Sequence, residues 1–177
     1  MGITLIVIIT LFSGIGWLVW HRLPAPRQAL LRQQLWAGVR AGIIATLAYD
    51  GCRFILIKLT GIHFWPFDIF RIFGQGLIGP NQNPLVTQLL GLAFHVLNGV
   101  GFAVAYTIWF APKGILWGIG YAMALEAMMV TVYPGWLGLK ALDEFLQVSI
   151  FGHLVYGSVL GYLAKRWTIL TTNSFKS

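Results

Sequence analysis

Apolar residues fall into five long runs separated by short polar or basic segments. The runs cover about Ile3–Trp20, Trp36–Leu59, Leu85–Phe110, Gly114–Tyr133 and Leu142–Leu163. Each is close to the roughly 20 residues a helix needs to cross a hydrocarbon core of about 30 Å. None alternates apolar and polar positions as a barrel strand does, and a bilayer admits only helices or closed barrels. The pattern predicts an all-α membrane protein with five transmembrane helices, the last four forming a compact bundle.

The intervening segments give the domain plan. Residues 1–20 are expected to be a retained membrane helix, because MGIT has no basic n-region and no A-x-A-like cleavage site follows. Residues 21–36, HRLPAPRQALLRQQLW, are expected to be a basic interfacial connector in which Pro24 and Pro26 interrupt the helix. Residues 37–167 form the bundle, and 168–177 a cytoplasmic tail. Within the bundle, residues 60–84 carry Phe64, Trp65, Phe67, Phe70 and Phe73, the signature of an aromatic loop lying at a membrane interface.

Lys and Arg set the expected orientation. Arg22, Arg27, Arg32, Arg40, Lys113, Lys165, Arg166 and Lys176 fall on one side of the five spans. The other side holds only Lys58, Arg71 and Lys140. The basic side is predicted to be cytoplasmic, with the N-terminus outside, in a bacterial-type inner or other energy-transducing membrane.

Composition agrees. The 177 residues are 58% apolar and only 10% charged, against about 25% charged in a soluble domain. Mean hydropathy is +0.77. The formal charge of +7 sits between the apolar runs, which suits an anionic membrane surface and not a nucleic-acid groove. The expected partners are the bilayer and either another membrane protein or a second copy of the chain. Cys52 is the single cysteine, so no disulfide forms within the chain.

The second and fourth spans share a spacing: Gly38, Gly42 and Asp50 against Gly114, Gly118 and Glu126. The third and fifth share His95-x3-Gly99 and His153-x3-Gly157. The bundle is therefore expected to consist of two similar helical hairpins, each a carboxylate helix followed by a histidine helix. Small residues four apart let such helices approach closely. Counted at 1.5 Å per residue, Asp50 and Glu126 lie roughly 18–21 Å from the basic ends of their spans. His95 and His153 lie roughly 15–17 Å from the opposite ends of theirs. All four meet near mid-membrane.

Ionisable side chains at that depth are costly, so they pair, line a path or hold something. As ligands, Asp50, His95, Glu126 and His153 supply the donor types of a transition-metal site, although Glu126 lacks the E-x-x-H continuation of di-iron proteins. Alternatively, His95 and His153 ligate a b-type haem for electron transfer, with Asn98, Tyr49 and Tyr156 beside it. In the bland alternative, Asp50 pairs with Arg53 or a histidine, Glu126 pairs with the other histidine, and the network fixes helix packing in a membrane subunit or scaffold. A proton or small-solute pathway is a further reading.

Other chemistry is weakly represented. Ser149, Ser158 and Cys52 have no partner spacing that marks a nucleophile, and the glycines lie inside apolar helices and not in a phosphate loop. His21 and His63 fall in connecting segments, where histidines are usually structural. The stretches AGIIATLAYD and HLVYGSVLG are similar to glycine-rich segments of small bacterial multipass membrane proteins, a resemblance that implies no activity.

Overall fold

A computed structural model describes residues 10–174 except 12, 13, 15, 63, 64, 66 and 138–141; the side chains of 132–145 and 169–174 are also outside the description. Most of the first expected span, His63, Phe64, Lys140, Lys176 and the side chain of Tyr133 thus lie outside the described residues. Every element within them is helical. In chain order these are α1 (Ala25–Thr60), α2 (Asp68–Ile78), α3 (Pro84–Phe110), a short 3-10 turn (Ala111–Lys113), α4 (Ile115–Leu137) and α5 (Leu142–Ser174).

Among the described residues two helical stretches, Pro84–Lys113 and Leu146–Thr168, are long and apolar enough to cross a membrane, and Ile115–Thr131 is apolar but shorter. The second expected span reads less apolar because Arg40, Asp50, Arg53 and Lys58 all lie in α1.

Three boundaries differ from expectation. The basic connector is not a separate segment: α1 runs unbroken for 36 residues from Ala25, with Pro24 as its N-cap residue and Pro26 in the first turn. A first-turn proline removes an N–H that had no helical partner anyway, so Pro26 does not break α1, while the preceding helical residues 16–22 do end at Leu23–Pro24, the interruption expected there. The fourth expected span stops at Tyr133, just before Pro134, but α4 continues through that proline to Leu137. Residues 68–78 fold as a helix that buries Ile69, Phe70 and Phe73, where an aromatic loop was expected.

The termini have local causes. Gly61, at φ 68°, adopts the left-handed conformation that closes α1, and its N–H reaches the Ile57 carbonyl. Asn83 caps α3, its side-chain oxygen accepting from the N–H groups of Leu85 and Val86 at 2.9 and 3.3 Å.

Packing follows the small residues. α1 lies between α3 and α5, α4 packs along α5, and α2 lies on α3; α3 and α4 touch little. Gly38 and Gly42 bring α1 against Val104, Val100 and Ala103 of α3. Gly118 of α4 faces Gly157 and Gly161 of α5 so closely that a Cβ on any of the three would meet backbone. Gly74 of α2 and Gly91 of α3 do the same for that pair of helices. The buried core is built from Ala41, Ala45, Ala103, Tyr106, Ala122 and Leu160.

Candidate functional site

The close glycine contacts place the polar residues of four helices together. On α1, Asp50 and Arg53 sit three residues apart, and Arg53 Nη1 lies 3.6 Å from Asp50 Oδ1. Arg53 is only 1% exposed, and its guanidinium lies 4.9 Å from the centre of the Tyr49 ring. His95 of α3 reaches Asp50 with Nε2, 3.0 Å from Oδ2.

The second pair has the same form. His153 Nδ1 of α5 lies 2.8 Å from Glu126 Oε2 of α4 and 3.0 Å from the Ser149 carbonyl one turn earlier. Both neighbours are acceptors, so Nδ1 carries the hydrogen; by the same argument His95 carries one on Nε2. Ser149 donates to Glu126 Oε2 at 2.8 Å and, with its donor so used, accepts from the Tyr49 hydroxyl at 3.4 Å. Glu126 and Ser149 are buried, at 3% and 0% exposure.

Tyr49 stands at the centre. Its ring packs 6.0 Å from His95 and 4.9 Å from His153, centre to centre. Gly152, next to His153, makes that approach possible, because a Cβ there would lie 2.7 Å from Tyr49 Cε2 and 3.1 Å from Arg53 Cγ. Phe70, delivered by α2, packs 5.1 Å from the other side of the cluster onto His95.

A cavity of about 80 Å³ opens beside the cluster. Its polar wall includes Thr46, Arg53, His95, Asn98, His153 and Tyr156, and its apolar wall includes Phe102 of α3 with Leu125 and Met129 of α4. Tyr156 donates its hydroxyl hydrogen to the Gly99 carbonyl at 2.6 Å. Three buried oxygens, Thr46 Oγ1, Asp50 Oδ1 and Glu126 Oε1, have no hydrogen-bond partner among the described residues. Beyond the cavity, Tyr121 of α4 donates to the Phe102 carbonyl at 3.1 Å and bridges α3 and α4.

The candidate site residues Tyr49, Asp50, Arg53, His95, Asn98, Glu126, His153 and Tyr156 therefore gather here, but not as a common ligand set. Asp50, His95, Glu126 and His153 stand as two carboxylate–histidine pairs. Among the described residues no three of His, Cys, Asp and Glu are placed to hold one metal ion. Nor does the cavity suit a porphyrin: it is far below the roughly 300–1,000 Å³ of pockets that enclose drug-sized ligands. Asn98 and Tyr156 line the cavity, while Tyr49 and Arg53 belong to the network. Gly152 and Phe70 were not legible as site residues; the glycine directly before His153 was the available signal for the first.

Comparison with protein-family models, with curated proteins and with solved structures gives no match.

Proposed function

We propose that the chain is an integral membrane protein with five transmembrane helices, the last four forming a bundle of two similar hairpins. In this reading it is a non-catalytic membrane subunit or scaffold, and its buried polar network fixes the register of its helices. The observation that carries the reading is the commitment of each histidine to a carboxylate on the neighbouring helix, His95 to Asp50 at 3.0 Å and His153 to Glu126 at 2.8 Å. A polar pair of fixed geometry disfavours rotation or a one-turn slip of either helix, since both would strand charges in an apolar surround.

The distribution of polarity supports the membrane location. Leu116, Leu59 and Trp109 are 83%, 78% and 75% exposed, whereas Arg53 and Glu126 are buried. Apolar outside and charged inside suits lipid as the solvent. The repeated glycine, carboxylate and histidine spacing supports the two-hairpin plan, because each carboxylate pairs with the histidine of its own half. Lys113, Lys165 and Arg166 share one end, and that end is proposed to face the cytoplasm.

A double-mutant cycle on Glu126→Gln and His153→Gln tests the network, read as thermal stability of the purified protein in detergent. The expected coupling is about 0.6–1.7 kcal/mol, with no Soret band and no stoichiometric metal. Additive losses, or a bound haem or metal, would replace this reading with another.

The cavity favours a second reading, a site that exchanges protons or a small polar solute. Each imidazole has one nitrogen on its carboxylate, and no hydrogen bond within the described chain engages His95 Nδ1 or His153 Nε2. Proteoliposomes that dissipate a pH gradient with the wild-type chain but not with His95→Gln would support it; equal leak from both would reject it.

A further inference from the structure

A second and larger cavity lies away from the polar cluster, where the 3-10 turn meets the last turns of α5. It measures about 740 Å³ and is lined by Lys113, Leu116, Trp117, Tyr162, Lys165 and Arg166 among others. Three cations face it, and among the described residues no acidic side chain lines it. The described acidic side chains, Asp50, Asp68 and Glu126, are not among its lining residues.

The cations are held in place by groups that leave their charge intact. Lys113 Nζ lies 3.5 Å above the Trp117 ring and 5.6 Å from the Phe110 ring. Arg166 Nη1 donates to the Tyr162 hydroxyl at 3.1 Å. Lys165 lies along Gly114, whose φ of 85° turns the chain sharply into α4. The first N–H groups of α4 open at this turn and add positive potential. Beside the cations, Leu116 and Trp117 expose apolar surface at 83% and 50%.

We propose that this cavity binds the phosphate headgroup of an anionic phospholipid, with the acyl chains lying against Leu116 and Trp117. Charge complementarity selects the anion, and the apolar flank selects a lipid over a soluble phosphate. The inference rests on the membrane-spanning reading above. It does not depend on the carboxylate–histidine network.

The test uses the full chain in nanodiscs of phosphatidylcholine mixed with phosphatidylglycerol, followed by extraction and native mass spectrometry of the retained lipid. The wild-type protein is expected to retain phosphatidylglycerol preferentially, and Lys113→Gln, Lys165→Gln and Arg166→Gln to lower that preference by roughly fivefold per cation. The control Arg27→Gln with Arg32→Gln, on the same basic side, keeps the preference. Circular dichroism and melting temperature check that each variant is folded. Three results would overturn the proposal: no preference in the wild type, equal loss in the control, or displacement of the lipid by soluble glycerol phosphate. A chain that fails to enter nanodiscs at all would instead refute the membrane reading.

Discussion

The hydroxyls of Tyr49 and Ser149 meet at 3.4 Å, joining the long helix α1 to the Glu126–His153 pair shared by α4 and α5. The two ends of this contact are not equivalent. Tyr49→Phe removes one donor from a serine that still has Glu126, so a loss of about 1 kcal/mol is expected. Ser149→Ala takes a donor from a buried carboxylate and is expected to cost about 1.5–3 kcal/mol. Thermal or denaturant unfolding of the two variants gives the order, and a larger effect from Tyr49→Phe would contradict it.

Arg53 and Asp50 form the cluster's ion pair within one helix. Arg53→Met alone leaves the Asp50 carboxylate without its cation, with the His95 N–H as its remaining partner, and is expected to destabilise by about 3–5 kcal/mol. Adding Asp50→Asn removes the orphaned charge, so the double variant should be more stable than Arg53→Met. A double variant whose loss equals the sum of the singles would mean the two residues are energetically independent.

Glycines on α4 separate packing from propensity. A side chain at Gly118 strikes the Gly157 carbonyl, whereas one at Gly120 meets nothing within 4 Å. Gly120→Ala should therefore raise helix stability by roughly 0.5–1 kcal/mol. Gly118→Val must push α4 away from α5 and should lower the melting temperature sharply or prevent folding. Comparable melting temperatures for the two variants would show that the helices pack differently.

Thr46 is buried at 3% exposure, and its hydroxyl has no hydrogen-bond partner among the described residues. Replacing it with valine removes that unmet polar atom at nearly the same volume. Thr46→Val is expected to be neutral or to stabilise by up to about 1 kcal/mol. A loss of more than that, measured by unfolding, would indicate that the hydroxyl has a partner in the working protein.

Depth was legible in the sequence and azimuth was not. A rise per residue places Asp50, His95, Glu126 and His153 at similar heights, and the structure brings them within reach of one another. It does not say which carboxylate meets which histidine, because that depends on helix rotation and on the glycine contacts that set spacing. Ser149 stands four residues before His153 in the sequence, but its role as the link to Tyr49 arises only once α1 lies on α5. Phe70 was read as an interfacial aromatic; burial on His95 follows from the close approach at Gly91, a tertiary effect. Pro24 and Pro26 carried an ambiguous signal, since proline both ends and begins helices; here the preceding helical stretch ends at Leu23–Pro24 and α1 begins directly after it.

That beginning matters mechanically. With 36 residues and no break, α1 is a rod about 54 Å long, well beyond a hydrocarbon core of about 30 Å. In the proposed membrane setting its first turns, with Arg27 and Arg32, would project from the lipid or force a steep tilt. Arg27 and Asp50 then sit on one stiff lever, roughly 35 Å apart along its axis. If the bundle spans a bilayer as proposed, a partner that grips the basic end would pull on the buried cluster without ever entering the membrane.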